Sequence, residues 1–256
     1  MVVHAGSAEP RLGWHLRTIE RCRALDPEFT ASAEALFGHP HRDASLSGRA
    51  RALVVLAAEA VIPQADEDRM AAAIGWAAAE GATVDEVMCV LEIACSIGLH
   101  TVSVGLPILL EEMAKQGIDL PAETPRHAEL KERIETTGPR PRPLNSIYAA
   151  ILRMDPDYFA HRIRFIDLPW ERLEVLDPAV KHLVSIAIDA VSPQHYVDGL
   201  RKHIHEALQI GVAPRAILEV LQLASVTGLR TLDVGLPLVD RAFPPAARAP
   251  GRRNPE

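Results

Sequence analysis

Cys89, Glu92, Ser96 and His100 follow one another at steps of three, four and four. On a helix that spacing puts all four on one stripe. A carboxylate, a hydroxyl and an imidazole so arranged could line a cleft and move protons on a small molecule. A solvated helix face carries the same pattern. Glu92 and His100 are two turns apart, about 12 Å along the axis. As an acid/base pair they need a ligand or water between them. A second stripe, Glu219, Gln222, Val226 and Arg230, follows at the same spacing. Arg230 offers a planar guanidinium suited to a carboxylate.

His203 borders an apolar stripe of Val197, Leu200, Ile204, Ala207 and Leu208, so a half-buried position is expected. It is a candidate general acid, with a satisfied structural histidine as the plainer reading. His205 groups with Asp198, Arg201, Lys202 and Gln209 on the wet side. The two rings diverge by about 200°, so they form no helical metal pair, which needs i,i+4 spacing. No metal site is expected, and no H-E-x-x-H, C-x-x-C, G-x-S-x-G or glycine-rich phosphate loop occurs. Cys95 lies off the first stripe, beside Leu91 and Leu99, and is expected to be buried and inert. Cys89 and Cys95 are about 240° apart around the axis and cannot pair. Trp76 and Trp170 could line a pocket or fill the core.

Helices position all of these groups. Thr83-x-x-Glu86 after Gly81 is a capping box, and Ala213-Pro214 after Gly211 starts a helix with proline at its first position. Before them come helices over 66–80 and 196–210, then Ala-rich helices over 49–61 and 179–191 that stop near Pro63 and Pro193. Gly98 and Gly228 mark a helix end or a close packing contact. Strand-like alternation is nearly absent, so the fold class is all-α, with about six helices in each of two units.

The two units are one unit repeated. Leu53 to Leu109 aligns without a gap with Leu183 to Val239 at an offset of 130, giving 21 identities in 57 positions. Gly98-Leu99-His100-Thr101 meets Gly228-Leu229-Arg230-Thr231, and Pro63-Gln64 meets Pro193-Gln194. Upstream, Leu25 to Phe29 resembles Met154 to Tyr158 at an offset of 129. The expected organisation is a repeat over 14–115, a linker over 116–143, a second repeat over 144–245 and a disordered tail over 246–256, the two repeats related by a pseudo-twofold. Within the linker, 126–135 could form a short charged helix capped by Thr124.

Composition narrows the function classes. The 256 residues carry a net charge of −7, and aromatics are 4%. Both disfavour nucleic-acid binding by phosphate contact or base stacking. No uninterrupted apolar run approaches the roughly 18 residues that span a bilayer, and the start lacks the charged-then-apolar pattern of a secretory signal. Three cysteines make no disulfide framework. A cytoplasmic protein with a small-molecule substrate, and no nucleic-acid or membrane partner, is expected.

His203-x-x-x-Ala207-x-x-x-Gly211, the capped helix with Ile217-Leu218-Glu219-Val220-Leu221, and the closing Gly228 resemble the carboxymuconolactone decarboxylase family, which shares its fold with alkylhydroperoxidase D-type proteins. The resemblance covers both repeats. It implies an all-α bundle that oligomerises, with a trimer of two-repeat chains standing in for a hexamer of single ones. In the peroxidase branch a C-x-x-C-x-x-x-H motif places its histidine at His203. Here the two cysteine positions hold Tyr196 and Gly199, and in the first repeat Asp66 and Arg69, with Ala73 at the histidine. Thiol peroxidase chemistry by that route is therefore not expected.

The resemblance implies cofactor-free decarboxylation of a small carboxylated lactone or related metabolite. His203, Glu92 and His100 are the expected catalytic groups, with Arg230, Glu219, Ser96 and Trp76 as substrate contacts. Such a reaction needs a cation for carboxylates, a group that stabilises enolate-like charge, and an acid that protonates carbon. The alternatives are alkylhydroperoxidase activity through a non-standard cysteine, Cys89 or Cys95, and a non-catalytic oligomeric binding protein. The repeats have diverged, so the chain has two unequal sites or one composite site.

Overall fold

The computed structural model describes residues 16–62, 65–137, 141–191 and 193–243. Pro63, Gln64, Pro139, the first 15 residues and the expected tail lie outside them. Every regular element among the described residues is helical, so the chain is all-α. The order is α1 (Leu16–Leu25), α2 (Pro27–Arg42), α3 (Gly48–Ala60), α4 (Glu67–Ala79), α5 (Val84–Cys95) and α6 (His100–Lys115), then α7 (Pro125–Glu132). There follow α8 (Ser146–Met154), α9 (Pro156–Glu171), α10 (Pro178–Ala190), α11 (Val197–Gln209), α12 (Pro214–Ser225) and α13 (Arg230–Ala242). The first residues of α3, α4, α5 and α6, at 48, 67, 84 and 100, recur at 178, 197, 214 and 230.

Local chemistry sets these boundaries. The Thr83 hydroxyl accepts from the Glu86 N–H at 3.2 Å, and the Glu86 carboxylate accepts from the Thr83 N–H at 2.8 Å. This closes the capping box of α5. Pro214 opens α12 at its first position. Gly81 and Gly211, with φ of +81° and +89°, terminate α4 and α11 in the left-handed region that glycine adopts without strain. Gly98 and Gly228 instead sit in 3₁₀ turns, Ser96–Leu99 and Val226–Leu229, with open space around them. They are not close-packing contacts.

α3 and α10 pack together at the centre and are buried along most of their length. α4, α5, α11 and α12 surround them in the main hydrophobic core. A second core joins Leu106 of α6, Leu130 of α7, Ile134, and Ile151, Phe159 and Ile163 of α8 and α9. Within the expected linker, α7 and Ile134 are therefore packed against α6, α8 and α9. α5 packs on α9 and α10, whereas α12 packs on α2 and α3. Each striped helix thus faces elements from the other half of the chain.

One stretch, Val84–Lys115, is long and apolar enough to cross a membrane by length and composition. This corrects the expectation drawn from uninterrupted apolar runs: Ser96, His100 and Ser103 break the run but carry no formal charge. In the fold the 3₁₀ turn divides the stretch, α5 packs into the main core, and its polar stripe lines a cavity.

Candidate active site

A cavity of about 530 Å³ lies among α5, α6, α9, α10 and α11. Glu92 and Ser96 face it from the end of α5 and the turn, His100 and Ser103 from α6, Arg162 from α9, and Asp189 and His203 from α10 and α11. Four sequence-derived candidates, Glu92, Ser96, His100 and His203, therefore share one space.

His100 and Asp189 form its most perturbed pair. Nε2 of His100 is 3.6 Å from Oδ1 of Asp189, and the imidazole stacks on Tyr196 with centroids 3.8 Å apart. Burial, with some repulsion from Arg162, lowers the His100 pKa to about 4. Burial raises the Asp189 carboxyl to about 7, although Lys202 pulls the other way. At neutral pH the contact joins a neutral imidazole to a carboxyl group that is about half protonated, so it is not a pair of full charges.

Arg162 is 5% exposed, and no carboxylate reaches it among the described residues. Its guanidinium donates to the Leu99 carbonyl at 3.1 Å and the Ser103 hydroxyl at 3.0 Å, and its Nε has no partner. A buried cation is costly unless an anion compensates it. Glu92 differs, because Oε1 accepts from Arg172 at 3.1 Å while Oε2 is buried without a hydrogen-bond partner. The Ser96 hydroxyl donates to the Ile93 carbonyl at 2.7 Å.

His203 is half-buried, as its position on α11 implies. Its ring lies parallel to Trp170, with centroids 5.8 Å apart and 11° between planes. Its Nδ1 is 3.2 Å from Nδ1 of His182 and 3.9 Å from the Glu206 carboxylate. His205 is exposed.

Arg230, Glu219 and Trp76 lie away from this cavity. Arg230 pairs with Glu59, and Arg69 pairs with Asp233 and, at 3.6 Å, with Glu59. Glu59 is 2% exposed and Arg69 5%. Desolvation lowers the Arg69 guanidinium against the raising effect of Glu59. Glu219 is fully buried, and one oxygen accepts from the Ser45 N–H and hydroxyl, both at 2.6 Å, and from the Leu46 N–H at 3.1 Å. Trp76 is buried, donates to Glu80 at 3.2 Å and lies against His41. Of the sequence-derived substrate contacts, only Ser96 therefore shares the cavity with His203: Glu219 and Arg230 face α2, α3 and α4, where each already has an internal partner, and Trp76 is buried on α4.

The expectation that Cys95 is buried is corrected. Cys95 is exposed and Cys89 fully buried, because the polar stripe faces inward and carries Cys89 with it. The Cys89 thiol is 3.6 Å from the Pro169 carbonyl, and desolvation raises its pKa. An activated thiol shows the opposite shift. All three cysteines are free.

A crystal structure from Burkholderia xenovorans LB400, of a protein provisionally named a gamma-carboxymuconolactone decarboxylase subunit, matches at 34% identity and a TM-score of 0.79, covering 91% of this chain and 93% of that one. The chain belongs to the carboxymuconolactone decarboxylase family. No protein-family model matches it, and no curated protein matches it by sequence.

In this member of the decarboxylase family, sequence reasoning missed Arg162, Asp189, Tyr196, His182 and Glu206. One signal existed: at the repeat offsets, Arg162 and His182 replace Ala33 and Ala52, and Gly199 replaces Arg69. A Cβ at Gly199 would collide with the Asp189 carboxylate and the Tyr196 ring.

Proposed function

We propose that the chain is a carboxy-lyase that decarboxylates a small carboxylated lactone or related metabolite in this cavity. Arg162 carries the proposal, as a buried guanidinium on the cavity wall with no carboxylate partner among the described residues. It would hold a carboxylate that the substrate retains. A second carboxylate departs as CO₂, and the electron pair left on carbon delocalises into the lactone carbonyl. Neutral Asp189 is positioned to protonate that carbon, and His203 is a second proton holder facing the same space. His100 keeps Asp189 protonated by remaining uncharged, and Glu92 and Ser96 offer polar contacts.

The arrangement is composite, since α5 and α6 supply one wall and α9 to α11 the other. We read the chain as two tandem copies of one unit that together build this cavity. Exposed apolar residues on α6 (Val104, Ile108, Leu109) and α13 (Val234, Leu238, Val239) support a homo-oligomer, with a trimer as the specific proposal. The free thiols support a cytoplasmic setting.

The test is CO₂ release from carboxylated lactones. Arg162→Ala and Asp189→Asn should each abolish it, and His203→Ala should reduce it. Unchanged turnover in Arg162→Ala and Asp189→Asn would overturn the reading.

A further inference from the structure

We propose that His182, His203 and Glu206 form a binding site for one divalent transition ion of the zinc or cobalt class, open toward the cavity. Two helices build it. His182 comes from α10, while His203 and Glu206 are one turn apart on α11. The Nδ1 atoms of the two histidines are 3.2 Å apart, and the Glu206 carboxylate lies 3.6 Å from one and 3.9 Å from the other. A tetrahedral ion with bonds of roughly 2.0–2.2 Å holds its donor atoms roughly 3.3–3.6 Å apart. The three side chains thus already occupy, within a few tenths of an ångström, three corners of such a site.

The donors suit this class of ion. Two imidazoles and a carboxylate form a borderline set that favours zinc, cobalt and their neighbours over calcium or magnesium. His182 is buried behind the other two, and only His203 and Glu206 line the cavity. The remaining coordination position therefore faces the cavity, as in metal sites that act on a ligand. Trp170 packs against both imidazoles, at 4.7 Å from His182 and 5.8 Å from His203, and fixes their planes. The offset-related positions are Ala52, Ala73 and Trp76, so the other half of the chain lacks the donor set and one ion per chain is expected.

This inference goes beyond the lyase reading and does not rest on it. A bound ion would engage His203 and leave Asp189 free to carry a proton. The test uses the full chain after chelator treatment, titrated with cobalt(II) without substrate and followed by visible absorption. The expected result is the intense band pattern of a four- or five-coordinate ion, saturating at one equivalent. Glu206→Gln and His203→Asn should each weaken binding beyond the ~10-fold that loss of an outer-shell partner costs at least. His205→Asn, on the exposed side of the same helix, should leave it unchanged. Absence of the band pattern, or equal binding by the parent, Glu206→Gln and His203→Asn proteins, would overturn the proposal. So would a loss in His205→Asn that matches theirs.

Discussion

Asp189 reaches into the space that a side chain at position 199 would fill, so the carboxylate and Gly199 share one volume. At the offset of 130 the corresponding pair is Glu59 and Arg69, in which a guanidinium fills that space and meets the carboxylate. The surroundings of Asp189 are thus an open cavity with an acid of altered affinity, and those of Glu59 a closed ion-pair cluster.

Stability should follow Asp189 on the alkaline side. Its folded pKa of about 7 stands above the ordinary 3.8, so the native state holds more protons across that window and loses stability as pH rises through it. His100, lowered from 6.5 to about 4, acts oppositely, gaining stability from pH 4 to 6.5. Above pH 6.5 only Asp189 contributes. Relative to the parent, Asp189→Asn should be more stable at pH 8 than at pH 4, with a ceiling on the order of 4 kcal/mol. Urea unfolding at the two pH values measures this, and a pH-independent difference would refute it.

Turnover should fall as pH rises through about 7, where Asp189 loses its proton. A rate profile that instead rises through that range would assign the proton to another group.

Arg162→Met should abolish the thermal shift that carboxylated ligands give the parent, while moving the ligand-free melting temperature little. The substitution removes an uncompensated buried cation along with its hydrogen bonds. Differential scanning fluorimetry with and without a carboxylated lactone reads both effects. A retained ligand shift would place the anion elsewhere.

Arg230→Ala should do the reverse. It strands Glu59 beside a single cationic partner, and loss of one member of a buried ion pair costs about 3–5 kcal/mol. The cavity lies apart from Arg230, so carboxylate binding at a temperature where the variant stays folded should match the parent. Binding that falls in parallel with stability would join the two regions into one site.

Gly199→Ala should cost about 1–3 kcal/mol through overpacking against Asp189 and Tyr196. Turnover should fall with it, which calorimetry and a rate assay on one preparation would establish.

The helices were legible because their signals are local. Thr83 with Glu86 and Pro214 mark starts, Gly81 and Gly211 mark stops, and each is read from a few neighbouring residues. The stripe of Glu92, Ser96 and His100 was legible for the same reason. Which way it faces was not, since packing of α5 on α9 and α10 decides that. Hence Cys89 is buried and Cys95 exposed. Arg162 of α9 and Asp189 and His182 of α10 meet His100 of α6 and His203 of α11 only through packing of separate helices, so no spacing along the chain announces their meeting. Arg230 has the residue type of a substrate clamp, but its partner Glu59 lies 171 positions away.

The Glu59, Arg69, Arg230 and Asp233 cluster has a consequence for assembly. Its acids and bases come from α3, α4 and α13, so its charges balance only when α13 docks on the first half of the chain. The opposite docking would leave Glu59 and Arg69 facing Ser103 and His100, and strand Arg230 beside Asp189. Electrostatic mismatch thus opposes exchanged pairing of two similar halves, and the cluster works as a lock that gives each half its own address.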